Sequence, residues 1–232
     1  MAIPRVDELA ELLKVMTHDL RNPLSALLTN LHFLQTSLPD LDSDVADALM
    51  DSVSLCDVLD RLITNVDILA KSDDPRVSNR FPTSLRQIAQ AVVTRQRHQV
   101  LSAGLELAFE EGGPDALALV ERDMFARAFE NVVANAVEHA PPGTAITIEV
   151  QRGETEAWIA VRDGGAGVPP DLRERAVSAE GQTRGARQSD VRYGRGLGLL
   201  CADLAARAAG ARLELDGGDD HSILRLVAPI AR

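Results

Sequence analysis

Between Leu9 and Leu38 the apolar residues Leu9, Leu13, Met16, Leu20, Leu24, Leu27, Leu31, Leu34 and Leu38 recur at intervals of three and four. That spacing is the period of an α-helix with one packed seam, so the segment reads as a single long helix. The turn Pro39-Asp40-Leu41-Asp42 follows, where Asp42 or Ser43 can cap a second helix, and Leu55, Leu59, Leu62, Val66 and Leu69 resume the spacing. The pair reads as a helical hairpin. Two such helices bury only one stripe each, and a seam this long and leucine-rich is best satisfied by a second copy completing a four-helix bundle. A homodimer through the hairpin is therefore the expected assembly.

A polar stretch with a proline, Lys71 to Arg80, separates this helical region from a mixed one. After Phe81-Pro82 a helical stretch runs to about Val100, then a strand at Leu105 to Glu110 and a helix from Arg122 to His139. Alternating strands follow at Ala145 to Val150 and Trp158 to Val161, then a helix at Leu199 to Ala209 and strands at Arg212 to Leu215 and Ser222 to Val227. The order suggests a mixed sheet covered by helices on one face, an α+β sandwich. The expected organisation is multidomain: an all-α hairpin in residues 1–76 and the α+β sandwich in 77–232. A length of 232 residues with 45% hydrophobic content suffices for two modest cores. A formal charge of -11 disfavours nucleic acid or an anionic membrane as a general partner. Cys56 and Cys201 stand far apart in apolar helical patterns, which supports neither a disulfide framework nor a zinc cluster. No run approaches the roughly 18 to 20 apolar residues of a membrane span. The start Met1-Ala2-Ile3-Pro4 lacks a charged region followed by an apolar core, so no membrane insertion and a cytoplasmic location are expected.

Four motifs carry chemistry. In Thr17-His18-Asp19-Leu20-Arg21-Asn22-Pro23-Leu24, His18 falls between the seam positions Met16 and Leu20 and should project outward. Its neutral imidazole has a lone pair at pH 7, and Asp19 can orient the ring or accept a proton. Asn22 lies one turn on, on the same face, and Pro23 cannot donate to the carbonyl of Asp19. On the helix Arg122 to His139, Asn131, Asn135 and His139 are four apart, with Phe125, Phe129, Val132, Val133 and Ala136 on the buried side. Asparagine can ligate a hard cation or bond phosphate oxygens without adding negative charge, although an isolated pair is more often solvated or capping. Asp163-Gly164-Gly165-Ala166-Gly167 follows a strand, and its glycines let the backbone turn sharply and approach a ligand. The Asp163 carboxylate could then accept a hydrogen bond from an exocyclic amine such as that of adenine; a turn joining two strands is the bland alternative. Gly194-Arg195-Gly196-Leu197-Gly198 immediately precedes a helix whose free amides can receive phosphate oxygens. Arg173 to Arg192, polar and glycine-containing, reads as a mobile lid or a disordered stretch. Taken singly each motif is weak, but their order fits transfer of a phosphoryl group from a nucleotide onto a histidine.

From about Val6 to Pro229 these residues resemble the two-component sensor histidine kinases, as a soluble member without a sensor domain. The resemblance implies a dimerisation and histidine phosphotransfer hairpin, followed by a catalytic domain of the GHKL type that binds ATP and Mg2+. It implies that His18 is the phospho-acceptor, Asp19 its acid/base neighbour, and Asn22 the residue that places a hydrolytic water. Asn135 resembles the magnesium-binding asparagine; Asn131, with His139 on the same face, supports the phosphate site. Asp163 resembles the adenine-recognising aspartate, Gly165 and Gly167 its turn, and Gly194, Gly196 and Gly198 the hinge of the phosphate-proximal lid. Ser222 stands where the family often has a threonine near the adenine. The implied function is autophosphorylation of His18 and transfer to an aspartate of a response regulator, with dephosphorylation of that partner as a companion activity. The chain departs from the family at four points. Glu138 stands where a basic residue is common, the phenylalanine motif between the glycine boxes is not evident in Val168 to Tyr193, and Asp19 replaces the commoner glutamate. No sensor, transmembrane or receiver segment is present, which implies a signal from a separate sensor protein or from the short amino-terminal extension. Glu138 and the altered lid motivate an alternative, a catalytically weak nucleotide-binding scaffold that docks a response regulator or another kinase. A water-activating ATPase of the gyrase or chaperone type ranks low, because those proteins place a glutamate base where Asn131 stands.

Overall fold

Helix α1 (Val6–Ser37) and helix α2 (Ser43–Lys71) form the hairpin in a computed structural model that describes residues 6–38, 41–71, 79–110, 116–178, 197–218 and 220–231. Asp42 is the cap of α2: its Oδ1 accepts from the Asp44 amide at 3.1 Å, and its carbonyl accepts from the Ala46 amide at 2.9 Å. Pro39 and Asp40 of the expected turn lie outside the described residues. Helix α1 continues through Pro23. The hairpin differs from the expected single seam. Thr17 and Leu24 are buried and Leu13, Arg21, Leu28 and Leu31 half-buried, and on α2 Cys56, Thr64, Asn65 and Ile68 are buried. Met16, Leu20, Leu27, Leu34 and Leu38 remain 41–57% exposed, and Val45, Leu55, Leu59 and Leu62 of α2 are exposed as well. Leucines three and four apart thus form two adjacent stripes, of which the hairpin covers one. Across the covered stripe, Arg21 Nη2 donates to Thr64 Oγ1 at 3.4 Å, one turn beyond His18.

The chain divides into two compact units, Met1–Asp74 and Pro75–Arg232. The second unit contains β1 (Phe81–Ser84), α3 (Leu85–Ser102), β2 (Glu106–Glu110), β3 (Leu117–Val120), α4 (Arg122–His139), β4 (Ala145–Arg152) and β5 (Glu156–Asp163). A short 3-10 turn (Pro170–Leu172) and α5 (Arg173–Ala176) come next, then α6 (Gly198–Ala209), β6 (Arg212–Gly217) and β7 (Ser222–Pro229). The main sheet has the order β2-β4-β5-β7-β6, with β2 parallel to β4 and every other pair antiparallel. A parallel pair needs a crossover, and β3 with α4 supplies it. Helices α3, α4 and α6 pack on this mixed sheet, and α4 packs on α6, as the α+β reading expects.

The period of two along the strands sets two faces. Ile146, Ile148, Ile159, Leu224 and Leu226 point to the core with Leu85, Ile88, Phe125 and Phe129 and are almost fully buried. Asp163 is in the same file of β5 as Ile159 and Val161, which brings its carboxylate to the core side at the end of the strand. Cys201 is buried on α6, and that burial pushes its thiol up to about 12. Cys56 is likewise buried and outside any disulfide, in keeping with both being core residues.

Two strands departed from the expected order. Phe81–Ser84 and Leu117–Val120 pair antiparallel as a separate two-stranded sheet, where the spacing had suggested a helix directly after Pro82. Four residues are too few to display alternation against the apolar helix that follows. Ser84 ends β1 and caps α3, its hydroxyl accepting from the Gln87 amide at 3.1 Å.

Candidate active site

Each side chain around Asp163 is placed by a strand end or a helix end. Asp163 closes β5 and pairs across the sheet with Ser222, the first residue of β7. Its Oδ1 accepts from the Gly165 amide at 2.8 Å. Oδ2 is buried and has no hydrogen-bond partner among the described residues. Burial raises the carboxyl pKa; the Gly165 amide, the Ser222 hydroxyl and the charge of His139 pull it back in part. A buried carboxylate oxygen without a donor costs free energy unless a ligand supplies one. Such an atom fits a site for a hydrogen-bond donor.

The glycines show why two positions of this loop take no side chain. A Cβ on Gly165 would lie 2.7 Å from the His139 carbonyl oxygen and 2.8 Å from Asp163 Oδ1. The loop therefore runs in contact with the last turn of α4, and only glycine permits that approach. A Cβ on Gly167 would sit 3.0 Å from the His221 carbonyl oxygen and 3.1 Å from Gly217 Cα, and the Gly167 amide donates to the Gly218 carbonyl at 2.7 Å. Asp163, Gly165, Gly167, Ser222 and the end of α4 are thus gathered at one place.

On α4 the three polar positions differ in exposure. Asn131 is 2% exposed, and its Nδ2 donates to the Arg127 carbonyl at 3.0 Å. Asn135 is half-buried and His139 exposed. The face they share therefore tilts from core to surface along the helix, and Asn131 is less available than its spacing suggested. At the other end, Glu121 caps α4, with its carboxylate accepting from the Asp123 and Met124 amides at 3.2 Å and 2.6 Å. Sequence reasoning passed over Glu121 because glutamate is not a usual capping residue. Glu121→Ala is expected to lower unfolding stability by about 1 kcal/mol, the typical worth of a cap. An unchanged urea midpoint would contradict that role.

In the hairpin, the side chains of His18 and Asp19 are 75% and 72% exposed, and His18 Nδ1 lies 3.4 Å from Asp19 Oδ1. Asn22 is also exposed. His18 projects outward, as its position between Met16 and Leu20 predicts.

Residues 120–229 match the family described as histidine kinase-, DNA gyrase B-, and HSP90-like ATPases, and residues 8–75 match the His Kinase A (phospho-acceptor) domain. The two matches follow each other in one chain, one on each structural unit. The chain belongs to the two-component sensor histidine kinase family. It is 29% identical over 201 residues to the sensor protein IrlS of Burkholderia pseudomallei (strain K96243), covering 85% of this chain and 42% of that protein. It is also 29% identical over 217 residues to the sensor-type histidine kinase PrrB of Mycobacterium leprae (strain TN), covering 93% of this chain and 47% of that one. The chain thus spans less than half the length of these curated relatives. The crystal structure of full-length ShkA in complex with AMPPNP has the same fold, with a TM-score of 0.65 at 22% identity, covering 95% of this chain and 46% of that one.

Gly194 and Gly196 fall outside the described residues, as do positions 179–192 of the expected lid. The front of that lid is helical, with Arg173–Ala176 forming α5. Gly198 opens α6, and Leu197 before it provides no side-chain cap. A concavity of about 450 Å³ lies on the opposite face of the sheet, around Trp158, Arg162 and Arg225, and includes none of the residues at Asp163. No described helix is long and apolar enough to cross a membrane.

Proposed function

We propose that the chain is an ATP-dependent protein-histidine kinase that phosphorylates His18 and passes the phosphoryl group to an aspartate of a response regulator, with dephosphorylation of that regulator as a companion activity. The observation that carries this reading is an exposed His18 beside Asp19 on a phospho-acceptor hairpin, in the same chain as an ATPase domain. Residues 1–76 are the dimerisation and phosphotransfer domain in this reading, and 77–232 the catalytic domain.

ATP is the substrate and supplies the terminal phosphoryl group. Its base fits the Asp163 loop, because the unpartnered Oδ2 calls for a donor such as an exocyclic amine and the glycines admit a flat ring close to the backbone. Ser222 flanks that position. The amides at the start of α6, with Gly198 and the Gly194 and Gly196 hinge, receive phosphate oxygens. Mg2+ fits Asn135: among the described residues no group of three or more His, Cys, Asp or Glu could hold a metal, and magnesium is commonly bound by one or two protein oxygens with substrate phosphates completing its shell. Bound there, it would neutralise charge developing on the phosphates. Asn131, its amide tied to Arg127, supports the helix face that Asn135 and His139 present.

In the transfer, Asp19 holds the Nδ1 side of the His18 ring, which leaves the Nε2 lone pair for in-line attack. The Nε2–P bond forms, the bond to the leaving β-phosphate oxygen breaks, and Asp19 takes the Nδ1 proton. In the reverse traffic, Asn22 places the water that hydrolyses the phosphorylated partner. Labelling with terminally labelled ATP tests the assignment: acid-labile, base-stable label in the wild type and none in His18→Gln.

The exposed stripe of Met16, Leu20, Leu27, Leu34 and Leu38 supports a homodimer, since a second hairpin would bury it. Leu27→Lys combined with Leu34→Lys is expected to give a monomer by light scattering with helicity retained. A dimer that survives both changes would remove this stripe from the interface. Buried cysteines without a disulfide and a need for ATP suit the cytoplasm.

Glu138 favours a second reading, a catalytically weak scaffold that binds nucleotide and docks a response regulator or another kinase. It lies on α4 three residues beyond Asn135, so its carboxylate shares that face and opposes phosphate. ATP binding without phosphohistidine, corrected by Glu138→Lys, would select this reading.

A further inference from the structure

We propose that Arg173 is a positioning residue for base recognition, holding the Asp163 loop against the β6–β7 turn through Asp216; the proposal rests on the nucleotide reading of Asp163.

The geometry is a chain of contacts across four segments. Arg173, the first residue of α5, sends Nε to the Val168 carbonyl at 3.2 Å, immediately after the glycine loop. Its Nη2 reaches the Gly217 carbonyl at 3.5 Å and Asp216 Oδ1 at 3.5 Å. Asp216 is itself fixed from two sides, with Oδ1 accepting from the Gly217 amide at 2.9 Å and Oδ2 lying 3.4 Å from Arg225 Nη1 on β7. These contacts hold the Asp216 carboxyl below its usual pKa range, led by the Gly217 amide and then by Arg225 and Arg173. The planar guanidinium can serve all three acceptors from one position, which an ammonium group cannot.

Among the described residues, the loop is also tied to this turn by the bond from the Gly167 amide to the Gly218 carbonyl. That bond fixes the loop at Gly167. Arg173 adds a second, one residue on, and so sets the angle at which Gly165 and Asp163 stand relative to Ser222. Ser222 immediately follows the turn that Arg173 grips. Misalignment here would separate Asp163 Oδ2 and the Ser222 hydroxyl from the base while leaving the phosphate side on α6 unaffected. A residue in this position should therefore act on base discrimination more than on phosphate affinity.

The experiment is equilibrium binding of ATP and GTP, with magnesium, to the full chain in wild type, Arg173→Ala, Arg173→Lys, Asp216→Asn and Asp163→Asn, with the unfolding midpoint measured for each. Arg173→Ala is expected to weaken ATP about tenfold and GTP little, so that the preference for ATP collapses. Arg173→Lys, which keeps the charge but loses the fork, should recover only part of it, and Asp216→Asn should shift the ratio in the same direction by less. An Arg173→Ala protein with a lowered midpoint but an unchanged ATP-to-GTP ratio would overturn the proposal and leave Arg173 a merely structural contact. If Asp163→Asn leaves ATP binding intact, or the wild type binds no nucleotide, the nucleotide reading itself falls, and the positioning role falls with it.

Discussion

His18→Gln is expected to remove all acid-labile label while leaving ATP affinity within about twofold of wild type. Glutamine keeps a polar side chain of moderate size on an exposed helical position, so the hairpin loses no packing; surface changes of this kind are usually within about 0.5 kcal/mol. What disappears is the ring nitrogen lone pair, for which an amide nitrogen is no substitute. Because the residue belongs to the first structural unit and the proposed nucleotide residues to the second, binding and phosphorylation should separate cleanly. Label that persists in His18→Gln would move the acceptor elsewhere. Replacing Asp19 by Asn should give a partial defect, since the ring keeps a neighbour at Nδ1 but no proton acceptor.

Asp163→Asn is expected to weaken ATP by about 100-fold, in line with roughly 1.5 to 3 kcal/mol for a hydrogen bond to a charged group. The direction follows from the loop. The Gly165 amide must donate to one terminal atom of residue 163, which forces the asparagine oxygen into the Oδ1 position. The NH2 group then occupies the Oδ2 position and meets an amine donor with another donor. Stability should move the other way. Asp163 has a raised carboxyl pKa because of burial, so the folded state holds its proton more tightly than the unfolded state. Folding stability from this group is therefore fully present below the ordinary carboxylate pKa and is lost as pH rises through the raised value. Above that raised value the ionised carboxylate opposes folding, and Asn, which cannot ionise, relieves that. The expected result is ATP binding lost with an unfolding midpoint equal to or above wild type at pH 7, and a smaller gain at pH 4. A midpoint that falls by several degrees would mean the carboxylate holds the loop together and the binding loss is indirect.

Much of the second unit was legible because its strands are long enough to alternate and its motifs sit at their ends. Ala145 to Val150 was readable from period two, and the Asp163 glycines announced a close backbone approach that the His139 carbonyl explains. The short pair Phe81–Ser84 and Leu117–Val120 was not legible, since a four-residue strand offers only two residues per face. Nor was Arg173, which lay in a polar stretch that reads as a lid, while its partner turn at Gly217 is 44 residues away. No local pattern records a guanidinium that finds its acceptors across that separation.

The sequence by itself determined the helical hairpin, the order of motifs and the outward direction of His18, because these depend on spacing along one element. It also determined the α+β character of the second unit, through the order of its strands and helices. Only the tertiary structure decided which leucines of α1 face α2 and which face away, because residues three and four apart lie on two adjacent stripes and a linear pattern cannot divide them. Only the tertiary structure decided that Asp163 Oδ2 is buried without a donor, that Asn131 is withdrawn into the core, and that Arg173 and Asp216 meet. The physical reason is the same in each case: burial and pairing depend on what the fold places opposite a residue, and that neighbour lies far away along the chain.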